Sequence, residues 1–254
     1  MNQRLRSVVF LGLVLATASG LTAQTAMPAW FWKPLGPGWC EVFAKSSDEA
    51  VQAAAFVLTA YSRSNVLGSF QQFFDESLDD RTWRNTDYTY NFSQKRATVL
   101  AQHLEVKERY PVNLYLREYV YLVGPQVLES PPKSAPLEPT ALARPEWADV
   151  VGETRAGRLR AVGDFTLKGN PSDAWVKAEE LAVFQLLRTK QVDLGRVTRV
   201  DTDGKADSYS QMDWIELNFA MADIRVDGRW VDPQSGDALV LVSAPEASIR
   251  ILSP

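Results

Sequence analysis

One histidine, His103, and one cysteine, Cys40, are all the imidazole and thiol this chain can bring to any chemistry. A histidine-rich zinc site is therefore impossible, and a Ser-His-Asp triad would have to use His103. No Gly-x-Ser-x-Gly elbow presents a nucleophile, and neither a Walker loop nor a Gly-x-Gly-x-x-Gly turn is present to cradle phosphate. Without partners, His103 reads as a surface residue of a strand or helix. Cys40 has no second cysteine to pair with, so it reads as a small buried side chain on the first strand. Asp201, Asp203, Gly204 and Asp207 resemble part of a calcium loop, but Met212 stands where an EF-hand needs its bidentate Glu. A solvated Asp- and Gly-rich turn accounts for the same residues. The acid pairs Asp79-Asp80 and Glu179-Glu180 invite a general acid–base reading. Adjacent helical residues point apart, however, which leaves Glu179 and Glu180 on a solvated helix edge. Asn91-Phe92-Ser93 is a glycosylation acceptor only in a eukaryotic secretory pathway. The expectation is no catalytic residue, no cofactor-binding residue, no metal ligand and no cofactor.

The address and the partners are bounded by composition. A net charge of −4 gives no basic face, so no nucleic-acid partner is expected. Arg4 and Arg6 precede an apolar run from Val8 to Ala16, and small residues follow, with Ala18, Gly20 and Ala23 as cleavage sites. That is the form of a secretory signal peptide over residues 1–23, with an uncleaved N-terminal anchor as the competing reading. No other stretch reaches the length of an apolar span, so no integral membrane span is expected once the signal is removed. The sequence points to export into the periplasm, in association with the outer membrane.

The elements that would position any site come from an internal repeat. Pro28-Ala29-Trp30 leads to Ser47-Asp48-Glu49-Ala50-Val51-Gln52-Ala53, and Pro145-Glu146-Trp147 leads to Ser172-Asp173-Ala174-Trp175-Val176-Lys177-Ala178. Each copy closes on an apolar run before a proline: Tyr119 to Val123 before Pro125, and Leu239 to Val242 before Pro245. Self-similarity decides the number of folding units. It gives a first domain over 28–125 and a second over 145–245. Between them lies a linker over 126–144 that, with the flanking Pro125 and Pro145, holds six prolines and reads as a semi-rigid spacer. Residues 246–254 read as a C-terminal tail. The two copies are expected to pack separately.

In the second copy, Arg158 to Leu167 reads as a strand. Asn170 suits an N-cap and Pro171 the first helical position of a helix from Ser172 to about Lys190. Residues 195 to 210 are polar and Asp-rich. A long strand pattern runs from Trp214 to Trp230 with a bulge at Asp227-Gly228, and Ala238 to Val242 returns as a buried strand. In the first copy Trp39 to Ala44 reads as a strand. Ser46 with Glu49 matches a capping box for a helix over Ser47 to Tyr61. Leu67 to Asp87 reads as a polar and aromatic insertion. Tyr88 to Arg109 reads as the long strand, with a helix over Gln94 to Leu104 as its competitor, and Val112 to Val123 as the return strand. Strand, helix, strand, strand is an α+β layer with an antiparallel sheet and one helix on a face. The Trp30-Phe31-Trp32 cluster would be a docking surface if exposed. The recurrence of Pro-x-Trp favours a staple packed over each copy's own edge.

The Pro-x-Trp, the strand ending Ala161-Val162-Gly163, the helix Asp173-Ala174-Trp175-Val176-Lys177-Ala178-Glu179-Glu180-Leu181-Ala182, and the closing Arg229-Trp230-Val231-Asp232 to Val240-Leu241-Val242 resemble the Lpp-type twenty-kilodalton lipoprotein family, which includes FlgP-like proteins of bacterial outer membranes. The resemblance covers most of 145–245 and, more weakly, 28–125. It implies a strand-helix-strand-strand, dodecin-like fold in each copy, no enzymatic activity, and a ring-building role around the flagellar motor. The chain departs from the family in lacking the lipobox cysteine and in carrying two copies. The expectation is a non-enzymatic structural or assembly protein of the cell envelope, a flagellar or envelope ring accessory. Its partners would be copies of itself, as a homo-oligomer, or other envelope proteins. The alternative is a periplasmic ligand-binding protein or enzyme with a cleft between the copies.

Overall fold

The computed structural model describes residues 26–254 except 76–82, 134, 139–141, 168–169, 191–194, 203–206 and 253–254, with side chains described outside 68–88 and 191–217. The signal-peptide reading of 1–23 and the acids Asp79-Asp80 lie outside the described residues. The fold is α+β with antiparallel sheets.

The first copy starts with a single helical turn, α1 (Ala29–Trp32), and strand β1 (Cys40–Ala44). Helix α2 (Ser47–Ser62) begins where the Ser46 hydroxyl accepts the Glu49 N–H at 3.2 Å. The Glu49 carboxylate reaches back to the Lys45 N–H at 2.9 Å, so the exchange that marks this start closes one residue earlier than a capping box. Strands β2 (Arg63–Asp75) and β3 (Trp83–Asn91) follow as a hairpin where an insertion was expected. Helix α3 (Gln94–Ala101) interrupts the expected long strand, and β4 (Leu104–Asn113) and β5 (Glu118–Pro125) complete the copy. The competing helix prevails because Ser93 caps it, accepting the Arg96 N–H, and because Ala97 and Ala101 bury one face.

The second copy adds a short β6 (Glu153–Arg155), then β7 (Arg158–Thr166) and helix α4 (Pro171–Arg188). Asn170 caps α4 by accepting the Ser172 N–H, with Pro171 in the first turn. Strands β8 (Gly195–Thr202), β9 (Asp207–Ala222), β10 (Arg225–Val231) and β11 (Asp237–Pro245) follow. The strand expected from Trp214 to Trp230 is thus two strands, broken at Asp223, whose φ of 55° is a turn conformation. The bulge falls between Val226 and Gly228 as the pattern indicated.

The repeat shows in the strand order. One sheet runs β1-β5-β4 and another β10-β11-β7-β6, so in each the closing strand lies beside the opening one. A third sheet is built by both copies. Hairpin β2–β3 pairs with β9 in a ladder from Arg63↔Ala222 to Asp75↔Ser210, and β8 flanks β9 from the other side.

The expectation of separately packed copies is corrected by the side chains. Val120 and Leu122 of β5 are fully buried in a cluster with Trp175, Leu186, Val240 and Val242 of the second copy. Their neighbours Tyr121 and Val123 point the other way, onto Ala50, Ala54 and Ala55 of α2. Successive strand residues face opposite sides. A strand apolar at every position therefore needs a cover on both faces, and the second copy supplies one of them. Each of these side chains contributes about 1.5–3 kcal/mol on burial, which makes separate packing the costlier arrangement.

The Trp30-Phe31-Trp32 staple is likewise corrected. Phe31 and Trp32 pack edge-on to Trp175, on the other copy, with ring centroids 5.0 and 5.9 Å away. The linker is tied down as well. Leu137 exchanges backbone hydrogen bonds with Met27, and its carbonyl accepts from Trp32 Nε1 at 3.1 Å. The tail also joins the fold, since Ile249 is buried and β12 (Arg250–Ile251) pairs with β9.

Helix α4 can lie this deep because its approach to β7 is very close. A Cβ placed on Gly163 would sit 2.2 Å from the Ala178 carbonyl oxygen and the Ala182 nitrogen. Ala178 and Ala182, four residues apart, form the flat stripe that meets that glycine. Gly163→Ala is expected to destabilise the protein by about 1–3 kcal/mol through overpacking. An equilibrium urea titration with an unchanged slope and a lowered midpoint checks this.

Candidate functional site

The polar centre of the molecule is a guanidinium that sequence reasoning passed over. Arg229 follows the β10 bulge and points inward, its side chain 3% exposed. Glu41 comes from β1 of the first copy, 5% exposed, and Glu179 from α4, 20% exposed. Arg229 Nη1 donates to Glu41 Oε2 at 3.1 Å and to the Phe31 carbonyl at 3.3 Å. Nη2 donates to Glu179 Oε2 at 3.2 Å. The guanidinium lies 4.9 Å from the Phe31 ring centroid, within cation–π range. Tyr61 of α2 donates to Glu179 Oε1 at 2.6 Å. One cation thus connects β1, α1, α4 and, through Glu179, α2.

Two carboxylates share one guanidinium, so the cluster has an excess acid. Glu41 Oε1 is buried and has no hydrogen-bond partner. Burial raises the Glu41 pKa; the Arg229 charge opposes the shift and the Glu179 charge adds to it. Burial alone would disfavour the Arg229 charge, but Glu41 and Glu179 together hold its pKa above the usual value. Burial, then the charges of Glu41 and Glu179, also push up the Cys40 thiol, which favours its protonated form. Tyr61 is raised by burial and by Glu179.

A cleft of about 440 Å³ opens onto this cluster, walled by Trp39, Leu58, Leu100 and Leu104. A second hollow of about 250 Å³ reaches Glu41, Tyr61 and Glu179 past Phe43, Phe56 and Tyr90. The residues that the sequence offered for chemistry lie elsewhere. His103 is exposed beside a surface groove between α2 and α3, with Lys95, Arg96 and Val99. Residues 203–206 of the Asp-rich loop lie outside the described residues, and with them the calcium reading. Among the described residues no three His, Cys, Asp or Glu side chains gather as metal ligands.

Glu179 corrects the expectation of a solvated acid pair. Glu180 does face outward, paired with Lys177 at 2.6 Å, while Glu179 turns inward. The available signal was Glu41, a charge placed between Cys40 and Val42 in an otherwise apolar strand, together with Arg229 between Gly228 and Trp230.

Comparisons with protein-family models, with curated proteins and with solved structures find no match for this chain.

Removing the guanidinium leaves the buried Glu41 and the half-buried Glu179 without a counter-charge. Arg229→Met is expected to cost about 3–5 kcal/mol in chemical denaturation. The pH dependence follows from Glu41, whose folded pKa is raised above its unfolded value. Its contribution to stability is complete below the ordinary carboxylate range and disappears as pH rises through the raised pKa. Relative to Glu41→Gln, the wild type should therefore lose stability across that window in a pH series of urea midpoints, and Arg229→Met should lose more.

Proposed function

We propose that this protein is an exported, non-enzymatic component of the bacterial cell envelope that works by assembling with copies of itself. The observation that carries this reading is the sheet built jointly by hairpins β2–β3 and β8–β9. The β2–β9 ladder runs thirteen residues, Arg63 to Asp75, or about 44 Å at the antiparallel rise. Among the described residues β3 pairs only with β2, and β8 only with β9, which leaves both outer edges of this arm open. Open edges are templates for a further strand, and natural proteins cover them. A neighbouring copy is a symmetric way to do so.

A second surface supports the same reading. The β4–β5 turn presents Leu114, 71% exposed, Tyr115, 93% exposed, and Leu116 in succession. The Asn113 side chain fixes this tip by accepting the Leu116 N–H at 3.1 Å. Consecutive large apolar side chains held in solvent mark a contact surface. The resemblance to Lpp-type, FlgP-like proteins, with a dodecin-like module in each copy, makes a ring accessory of the outer membrane or flagellum the specific form of this proposal. The periplasmic address rests on the signal-peptide pattern.

Mass photometry and sedimentation of the purified protein should show oligomers that grow with concentration between nanomolar and micromolar. Tyr115→Asp with Leu114→Ser should shift the distribution toward monomer without changing the circular dichroism spectrum. Monomer alone at every concentration and salt would contradict the assembly reading.

A further inference from the structure

The groove of about 500 Å³ between α2 and α3 combines an apolar wall with two cations at one end. Lys95 and Arg96 are exposed, and among the described residues neither side chain has an ion pair or a hydrogen bond. Lys95, Val99 and His103 follow one another at four-residue steps, and Arg96 and Leu100 do the same. The groove side of α3 therefore runs from cation through aliphatic residues to imidazole over about 12 Å. Leu58 faces this stripe from α2, and Val99 is 48% exposed.

The other polar groups of the groove are already occupied. The Thr59 hydroxyl donates to the Ala55 carbonyl, the Ser62 hydroxyl to the Thr59 carbonyl, and the Ser93 hydroxyl accepts the Arg96 N–H. No acid lines the groove among the described residues. The acids of neighbouring segments are held elsewhere or stand apart. Asp223, whose N–H meets the Ser62 carbonyl, pairs with both Arg158 and Arg225. Glu105, two residues past His103, pairs with Lys107. Asp48 and Glu49 open α2 about 13 Å or more from Leu58 along its axis. A bare anion would match the cations and leave Leu58, Val99 and Leu100 in water. A neutral chain would cover the wall and leave the cations unmatched. A concave space of this size suits one small ligand with both parts.

We propose that this groove binds a fatty-acid-type anion, its carboxylate at Lys95 and Arg96 and its aliphatic chain over Leu58, Val99 and Leu100 toward His103. The site is separate from the surfaces invoked for assembly, whose test is the mass distribution, so the two readings stand or fall apart.

The test is isothermal titration of the purified protein with octanoate, 1-octanol and octylammonium at pH 7 and constant ionic strength. A dissociation constant on the order of 1 mM is expected for octanoate. Two exposed charge contacts are each worth little, so octanoate should bind about fivefold more tightly than octanol, and octylammonium more weakly than either. From hexanoate to decanoate, affinity should rise about fourfold for each two carbons, because the open groove covers only part of each methylene. Lys95→Gln with Arg96→Gln, both at exposed helical positions, should remove the preference for octanoate and leave octanol binding unchanged. Val99→Asn should weaken both ligands. Equal binding of octanoate and octylammonium, no dependence on chain length, or an undiminished preference in the double variant would each overturn the proposal. So would binding to phosphatidylglycerol vesicles without binding to octanoate, which would make the groove a bilayer contact instead.

Discussion

Burying one arginine between two carboxylates constrains everything around it. Arg229 can be charged inside this protein only while β1 brings Glu41 and α4 brings Glu179 to opposite sides of its guanidinium. The Phe31 carbonyl and ring occupy its remaining faces. Those groups come from three separate parts of the chain, so the charge is tolerable only in the assembled molecule. Hydrophobic burial supplies most of the driving force, but it is indifferent to small displacements. The ion pairs are not, and a buried polar cluster of this sort fixes register. A one-residue slip of β10 against β11 would turn Arg229 to the opposite face and leave both acids without a counter-charge.

Around that point the layers follow from which faces need covering. Strand β5 is apolar on both sides; α2 takes one and the second copy takes the other. Helix α4 buries residues around most of its circumference, from Ala174 and Trp175 to Leu186 and Leu187. A helix with that pattern belongs in an interior. It lies on its own sheet through the Gly163 contact and reaches the first copy through Trp175. The β2–β9 ladder extends the same union into backbone hydrogen bonds. The duplicated unit therefore provides two similar sheets, and the stability of each depends on the other.

Local features of this fold were legible in the sequence, and longer-range ones were not. Caps at Ser46 and Asn170, the break before Pro171 and the bulge near Asp227 all depend on residues near one another or on simple periodicity. The α+β class followed from their order. What the pattern could not convey was partnership. The proline-rich seam reads as a spacer because proline cannot join a ladder, yet Leu137 is held by Met27 and Trp32, a pairing written nowhere locally. The insertion over 67–87 had no visible partner because its partner, β9, lies in the other copy. The polar cluster was missed for the same reason. Glu179 resembles any acid on a helix until Arg229 is placed beside it, and the residues rarest in the composition, His103 and Cys40, drew attention away from it. Cys40 is buried, as its type suggested.

The central claim is that the two copies share one core locked by Arg229, and equilibrium unfolding tests it most directly. Urea titration followed by tryptophan fluorescence and by circular dichroism should give one coincident transition, with a slope appropriate to the whole chain. Segments 26–125 and 145–254, expressed alone, should each lack a cooperative transition. Two separated transitions, or either segment folding cooperatively by itself, would contradict the account.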